Sequence, residues 1–144
     1  MDLNLIKIDP NTEFEQIEEY ISLLFNELFG EAAIPSKEQF ALVQQQLVEG
    51  KTFHWAYKML QGDNVVAFFT LAQSFSVFAN GRYGIINELW VSPESRGQGV
   101  GNKVLEAIKQ LAKKQGWLRL DVSAPPMEKW QKTFEFYQKN GFEL

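Results

Sequence analysis

Three glycines within five positions, in Arg96-Gly97-Gln98-Gly99-Val100-Gly101, stand between a β-prone run and an amphipathic helical pattern. Glycine has no Cβ, so such a loop lets backbone amides come close to a ligand. The first N–H groups of the following helix have no acceptor within it, and the helix dipole adds partial positive charge. Together these make an anion site suited to a pyrophosphate, although a flexible strand–helix connection has the same composition. Spacing argues against two other phosphate loops. A Walker loop needs Gly-Lys-Ser/Thr, but Gly101 is followed by Asn102-Lys103-Val104, and the dinucleotide fingerprint needs glycine where Asn102 stands.

Two side chains near this loop could move protons. Glu88 lies in the apolar run before it, and a carboxylate among apolar neighbours has a raised pKa and becomes a better base. On alternation it should share a strand face with Ile86 and Trp90, opposite Asn87, Leu89 and Val91. Tyr137 lies on a later amphipathic helix, and a phenol with an ordinary pKa of about 10 stays protonated at neutral pH. Both have plainer readings, a substrate-positioning or solvent-facing carboxylate and a core tyrosine. His54 is the only histidine. It points away from Phe53 and Trp55 in an alternating strand and reads as a surface residue.

The elements that position these residues follow from periodicity. Leu3 to Ile8 alternates as a strand and Asp9-Pro10-Asn11 breaks it. Thr12 and Glu15 form the pattern of a capping box, opening a helix with Phe14, Ile17, Ile21, Leu24, Phe25 and Leu28 at helical spacing. Ser36 and Gln39 repeat that pattern before a second helix ending near Gly50. Phe53, Trp55, Tyr57 and Met59 alternate as a half-buried strand. Val65 to Phe78 and Tyr83 to Val91 read as strands joined at Asn80-Gly81, a strong hairpin signal. A helix spans Asn102 to Gln115 and is closed by Gly116. A strand then covers Trp117 to Val122, Pro125-Pro126 breaks it, and a last helix runs to about Asn140. No repeat or linker divides the chain, so one domain is expected over 1–144.

The chain has no cysteine, which excludes disulfides, thiolate metal sites and a cysteine nucleophile. No metal site is expected. No basic stretch leads into an apolar run at the N-terminus, and no stretch reaches the ~20 apolar residues of a membrane span. A cytoplasmic protein that binds no membrane is the expectation. Charge is uneven: ten acidic against two basic residues up to position 50, eight against twelve after it, for a net −4. An acidic chain without a basic run is a poor nucleic-acid binder. An acidic first third suits a cationic partner and a basic remainder an anionic cofactor, unless these are ordinary solvated helix faces.

Val91-Ser92-Pro93-Glu94-Ser95-Arg96-Gly97-Gln98-Gly99-Val100-Gly101 resembles the signature of the GNAT acyltransferases (GCN5-related N-acetyltransferases), whose core is Arg/Gln-x-x-Gly-x-Gly/Ala. Arg96, Gly99 and Gly101 match that core. Phe136-Tyr137-Gln138-Lys139-Asn140-Gly141-Phe142 is similar to the family's Phe-Tyr-x-x-x-Gly-Phe. The two motifs are separated by about a helix and a strand, as in the family. Departures are Trp130, where the family often carries Asn, and Thr133, where Ala is common. The chain also ends at Leu144, where the family usually continues into a last strand. Either the sequence is shortened or a second chain supplies that strand, since an open sheet edge invites pairing; a homodimer is one arrangement that does so.

The resemblance implies an α+β fold: a splayed, mostly antiparallel mixed sheet flanked by helices, in the order β-α-α-β-β-β-α-β-α-β. The sheet would open between the strands ending at Val91 and Val122. It implies acetyl-CoA as co-substrate, its pyrophosphate on the Gln98, Gly99, Val100, Gly101 and Asn102 amides, within a loop that includes Arg96 and Gly97. Leu89 and Val91 would pair with the pantetheine arm, and the amide of Leu89 or Trp90 would polarise the thioester carbonyl. Tyr137 matches the family's general acid and Glu88 its glutamate base, with a water the alternative base. The implied reaction is acetyl transfer to a primary amine by direct attack. The acceptor would be a small amine or a peptide N-terminal amine, cationic if the acidic helices flank the cleft. Two other readings compete: an acyl-CoA sensor that has lost catalysis, and an interaction module whose acidic helices dock a partner.

Overall fold

The fold comes from a computed structural model, which describes residues 2–123 and 131–142. The elements are β1 (Asn4–Ile8), α1 (Phe14–Phe29), α2 (Lys37–Glu49), β2 (His54–Gln61), β3 (Asn64–Ser76), β4 (Gly81–Val91), α3 (Val100–Gln115), β5 (Leu120–Val122) and α4 (Gln131–Lys139). Single 3-10 turns lie at Glu31–Ala33 and Pro93–Ser95. The strands form a sheet in the order β1-β2-β3-β4-β5, antiparallel throughout except for β4 and β5, which run parallel. The protein is therefore α+β with a mixed sheet. Pro125, Pro126 and Trp130 lie outside the described residues.

Each face of the sheet is covered by a different layer. On one, Phe14, Ile17, Tyr20, Ile21 and Leu24 of α1 pack on Ala56, Phe68 and Trp90. On the other, Val104, Leu105, Ile108 and Ala112 of α3 pack with Phe69, Leu71, Ile86 and Tyr137. This explains why β3 reads as a near-continuous apolar run: a strand buried on both faces has no polar side to show.

The helix ends differ from expectation at one site. Ser36 caps α2 as the sequence predicts: its hydroxyl accepts the Gln39 N–H at 3.1 Å and the Gln39 side chain accepts the Ser36 N–H at 2.8 Å. Thr12 does not cap α1; Glu13 occupies the N-cap, and its side chain accepts from the Gln16 side chain but from no backbone N–H of the helix. Asp9 takes over there. Its carboxylate accepts the Asn11 N–H at 2.9 Å and its carbonyl the Glu13 N–H at 2.8 Å, an Asx-type turn that satisfies the entry locally. The predicted strand from Trp117 shortens to three residues, because Trp117 turns into the α3-side core and donates its indole N–H to Gln73 at 2.8 Å.

Two irregularities in β4 shape the molecule. β4 pairs with β5 only over Gly84–Ile86, extended by one bond at each end of β5: the Gly84 N–H donates to the Arg119 carbonyl at 3.1 Å and the Ser123 N–H to the Ile86 carbonyl at 3.0 Å. Beyond Ile86, β4 has no strand partner on that side among the described residues. At the same point Thr70 pairs with Glu88 but Leu71 pairs with Ile86, so Asn87 is an extra residue in β4. Such a bulge bends and twists its strand.

Candidate active site

The bulge reverses the faces of β4. Ile86 belongs to the α3-side core and Trp90 to the α1-side core, while Leu89 and Val91 pack against the α3 side. Glu88, two residues before Trp90 and bonded to Thr70 across the ladder, therefore faces α1. This corrects the sequence expectation: Glu88 shares a face with Trp90 but not with Ile86. Alternation assumes period two, and one inserted residue shifts everything after it to the opposite face.

The backbone switches with the side chains. The Ser92 N–H donates to Val66 O at 2.9 Å. Alternation in an antiparallel ladder then directs Trp90 and Glu88 towards β3, and Leu89 and Val91 towards the open edge. The Trp90 amide is thus committed to the sheet, and its indole lies tilted against the Tyr20 ring with centroids 5.4 Å apart. Of the two amides considered for polarising a carbonyl, only that of Leu89 faces the opening.

The glycine-rich loop lies at the same end of β4. Gly97 and Gly99 have φ of 75° and 82°, a region costly for any side chain, and a Cβ on either would meet nothing within 4 Å. From Gln98 to Asn102 no backbone N–H has an acceptor among the described residues; Lys103 is the first to bond, to Gly99 O at 3.2 Å. Gly101 differs, because a Cβ there would come within 3.0 Å of the Phe136 ring. The missing side chain there lets the Phe136 ring of α4 pack closely on α3. The Arg96 side chain turns away from the free amides. Its Nε donates to Val91 O at 3.1 Å and its Nη2 pairs with Glu27 of α1, so Arg96 ties strand end, loop and helix together.

Tyr137 sits in the α3-side core with 7% of its surface exposed. Its hydroxyl has no hydrogen-bond partner among the described residues, and burial pushes its pKa up to about 12. The surrounding motif holds it in place. Phe136 packs on Gly101, Asn140 donates from Nδ2 to Asn102 Oδ1 at 3.1 Å, and the Phe142 N–H returns to Tyr137 O at 3.0 Å. Lys109 adds a bond to the Asn140 carbonyl at 2.7 Å. The sequence reading ended the last helix at Asn140 but did not foresee its bond to Asn102, which depends on the packing of α4 on α3.

Burial raises the pKa of Glu88, and a hydrogen bond from the Thr70 hydroxyl opposes that shift. Glu88 and Tyr137 approach from opposite faces, flanking the strand end whose edge is free. His54 is half-buried rather than a surface residue. It lines a small recess with Ile17 and Leu47, and burial lowers its pKa. Thr133 is half-buried on α4. A groove of about 330 Å³ between β1 and α3, floored by Leu3, Leu5 and Met59, shares no residue with this site. Among the described residues no group of three His, Asp or Glu side chains could hold a metal, and no helix is long and apolar enough to cross a membrane.

Residues 49–144 match the model of the acetyltransferase (GNAT) domain, so the chain belongs to the GNAT acetyltransferases, a family that draws its acetyl group from acetyl-CoA. No curated protein matches it. Solved structures share the fold at low identity. An aminoglycoside acetyltransferase from an uncultured soil metagenomic sample, in complex with sisomicin, is 19% identical with a TM-score of 0.73, covering 99% of this chain and 90% of its own. Another from such a sample has a TM-score of 0.77 at 19% identity, covering 100% and 93%. A predicted acetyltransferase from Clostridium acetobutylicum, with acetyl-CoA, has a TM-score of 0.69 at 20% identity, covering 99% and 91%.

Proposed function

We propose that the protein is an N-acetyltransferase that transfers the acetyl group of acetyl-CoA to a primary amine by direct attack, with no covalent enzyme intermediate. One observation carries this reading: the edge of β4 from Leu89 to Val91, which has no strand beside it among the described residues and only the Val91 carbonyl taken, by Arg96, runs up to a loop with free amides and no side-chain bulk at Gly97 and Gly99. An extended amide-bearing arm ending in a diphosphate fits that combination. The edge supplies the hydrogen bonds of an added strand, and the helix N-terminus receives the anion.

Bound acetyl-CoA supplies the acyl group as a thioester. The amides from Gln98 to Asn102 hold its diphosphate, with Arg96 and Gly97 shaping the loop. Leu89 and Val91 hold the arm, and the Leu89 N–H donates to the carbonyl oxygen where negative charge develops. Glu88, facing α1, accepts the proton that the amine must lose. Tyr137 donates from its hydroxyl to the departing sulfur. A phenol near 12 is a weaker acid than a thiol of about 8.5, but burial raises a thiol as well as a phenol, so a dry pocket narrows the gap.

The acceptor is read as a cationic amine: a polyamine, an aminoglycoside or a basic peptide end. The acidic first fifty residues and the aminoglycoside acetyltransferases among the fold neighbours support this. A panel containing all three, with neutral and acidic amines beside them, tests it. Mass spectrometry should find the acetyl group on nitrogen. Salt should weaken apparent acceptor affinity much more than maximal rate, since exposed charges are screened beyond about 8 Å at physiological ionic strength. A best acceptor that is neutral or acidic and indifferent to salt would refute the cationic reading.

A further inference from the structure

Thr70 is the one buried polar residue in the centre of β3, with 1% of its surface exposed, between Phe69 and Leu71. A polar group so deeply buried must find partners or carry a desolvation cost. Its hydroxyl uses both of its capacities on one residue. It accepts the Glu88 N–H at 3.2 Å and donates to the Glu88 carboxylate. The contact lies at the register shift, where Thr70 pairs with Glu88 and the next pair skips Asn87. The Thr70 hydroxyl thus bonds both the Glu88 N–H and the Glu88 carboxylate, which ties backbone and carboxylate to one side chain.

We propose that Thr70 is a positioning residue for acetyl transfer, its hydroxyl holding the Glu88 carboxylate in place on the α1 face of β4. This rests on the reading of Glu88 as the base. Without the hydroxyl the carboxylate has lost the partner that fixes its rotamer, and an unfixed base meets the acceptor proton less often. The bond also favours the ionised carboxylate, against the burial that disfavours it. A Thr70→Val side chain of equal size keeps the packing and removes both functions of the hydroxyl.

The test compares pH profiles of the full-length protein with acetyl-CoA and the fastest amine of the panel. Thr70→Val should lower kcat roughly tenfold at neutral pH, as expected for one lost hydrogen bond to a charged group. The KM for acetyl-CoA should not change. The acidic limb of kcat/KM should move to higher pH, because burial then acts on Glu88 unopposed. Thr70→Ser should restore both rate and limb. If the valine variant does not fold, Thr70→Ala gives the same comparison. An acidic limb that stays in place overturns the proposal, whether the rate is unchanged or falls equally at all pH values, the latter being a loss of structure alone. Glu88→Gln separates the two claims. If it abolishes the limb while Thr70→Val leaves it untouched, Glu88 is the base and Thr70 does not position it. If it leaves both rate and limb intact, the base reading itself fails.

Discussion

A phenol buried to 7% exposure with no hydrogen-bond partner among the described residues is costly unless something else meets it. Tyr137 is such a group, and the proposed function gives it an acceptor, the sulfur that gains negative charge in the transition state. Tyr137→Phe removes one oxygen and little volume. Its turnover number should fall by roughly 10²–10⁴-fold while calorimetry gives nearly unchanged acetyl-CoA affinity. An unchanged rate under conditions where chemistry limits turnover would make Tyr137 a packing residue. At this scale the sequence was informative about which residues matter and less so about where they point. Tyr137 was legible because Phe-Tyr-x-x-x-Gly-Phe is both a motif and a helix end. Glu88 was legible as a carboxylate in an apolar run, but its face was not, since no residue type announces the Asn87 bulge. Thr70 was not legible at all: a single threonine in a strand is ordinary, and its pairing with Glu88 depends on a register that periodicity cannot supply.

The elements explain the two glycine motifs in different ways. Gly97 and Gly99 hold left-handed backbone conformations in open space, whereas Gly101 admits the Phe136 ring. Gly99→Asp should therefore strain the loop and put negative charge among the free amides of α3. The prediction is loss of acetyl-CoA binding by calorimetry, with a thermal transition showing that the variant is still folded. Near-wild-type affinity in the folded variant would remove the loop from the binding site. Element types and order were readable from period and punctuation, because α1 and α3 bury one stripe each, β3 is apolar on both faces, and α2, which buries no residue fully, is marked by its capping box and Gly50. Element starts were less readable. Thr12 and Ser36 open identical-looking boxes, yet only Ser36 forms one, since Asp9 already satisfies the approach to α1.

At the scale of the molecule, the sheet divides the labour. The face with α1 carries Glu88 and leads from the acidic part of the chain; the face with α3 carries Tyr137 and the glycine-rich loop. They meet where β4 leaves β5, so the free edge of β4 is reached from both sides. The sequence pointed to that opening only through resemblance: a parallel pairing that stops after three residues depends on contacts between distant segments. On the proposed reading, in which Glu88 and Tyr137 serve one thioester as base and acid, the expectation is direct transfer without a covalent enzyme intermediate. The most direct measurement is free thiol release after rapid mixing of the protein with acetyl-CoA, with and without amine from the panel. Direct transfer predicts no thiol released in stoichiometric amount without amine, and steady release, proportional to protein concentration, once a suitable amine is present. A burst of one thiol per protein without amine, or no release with any amine, would contradict the account.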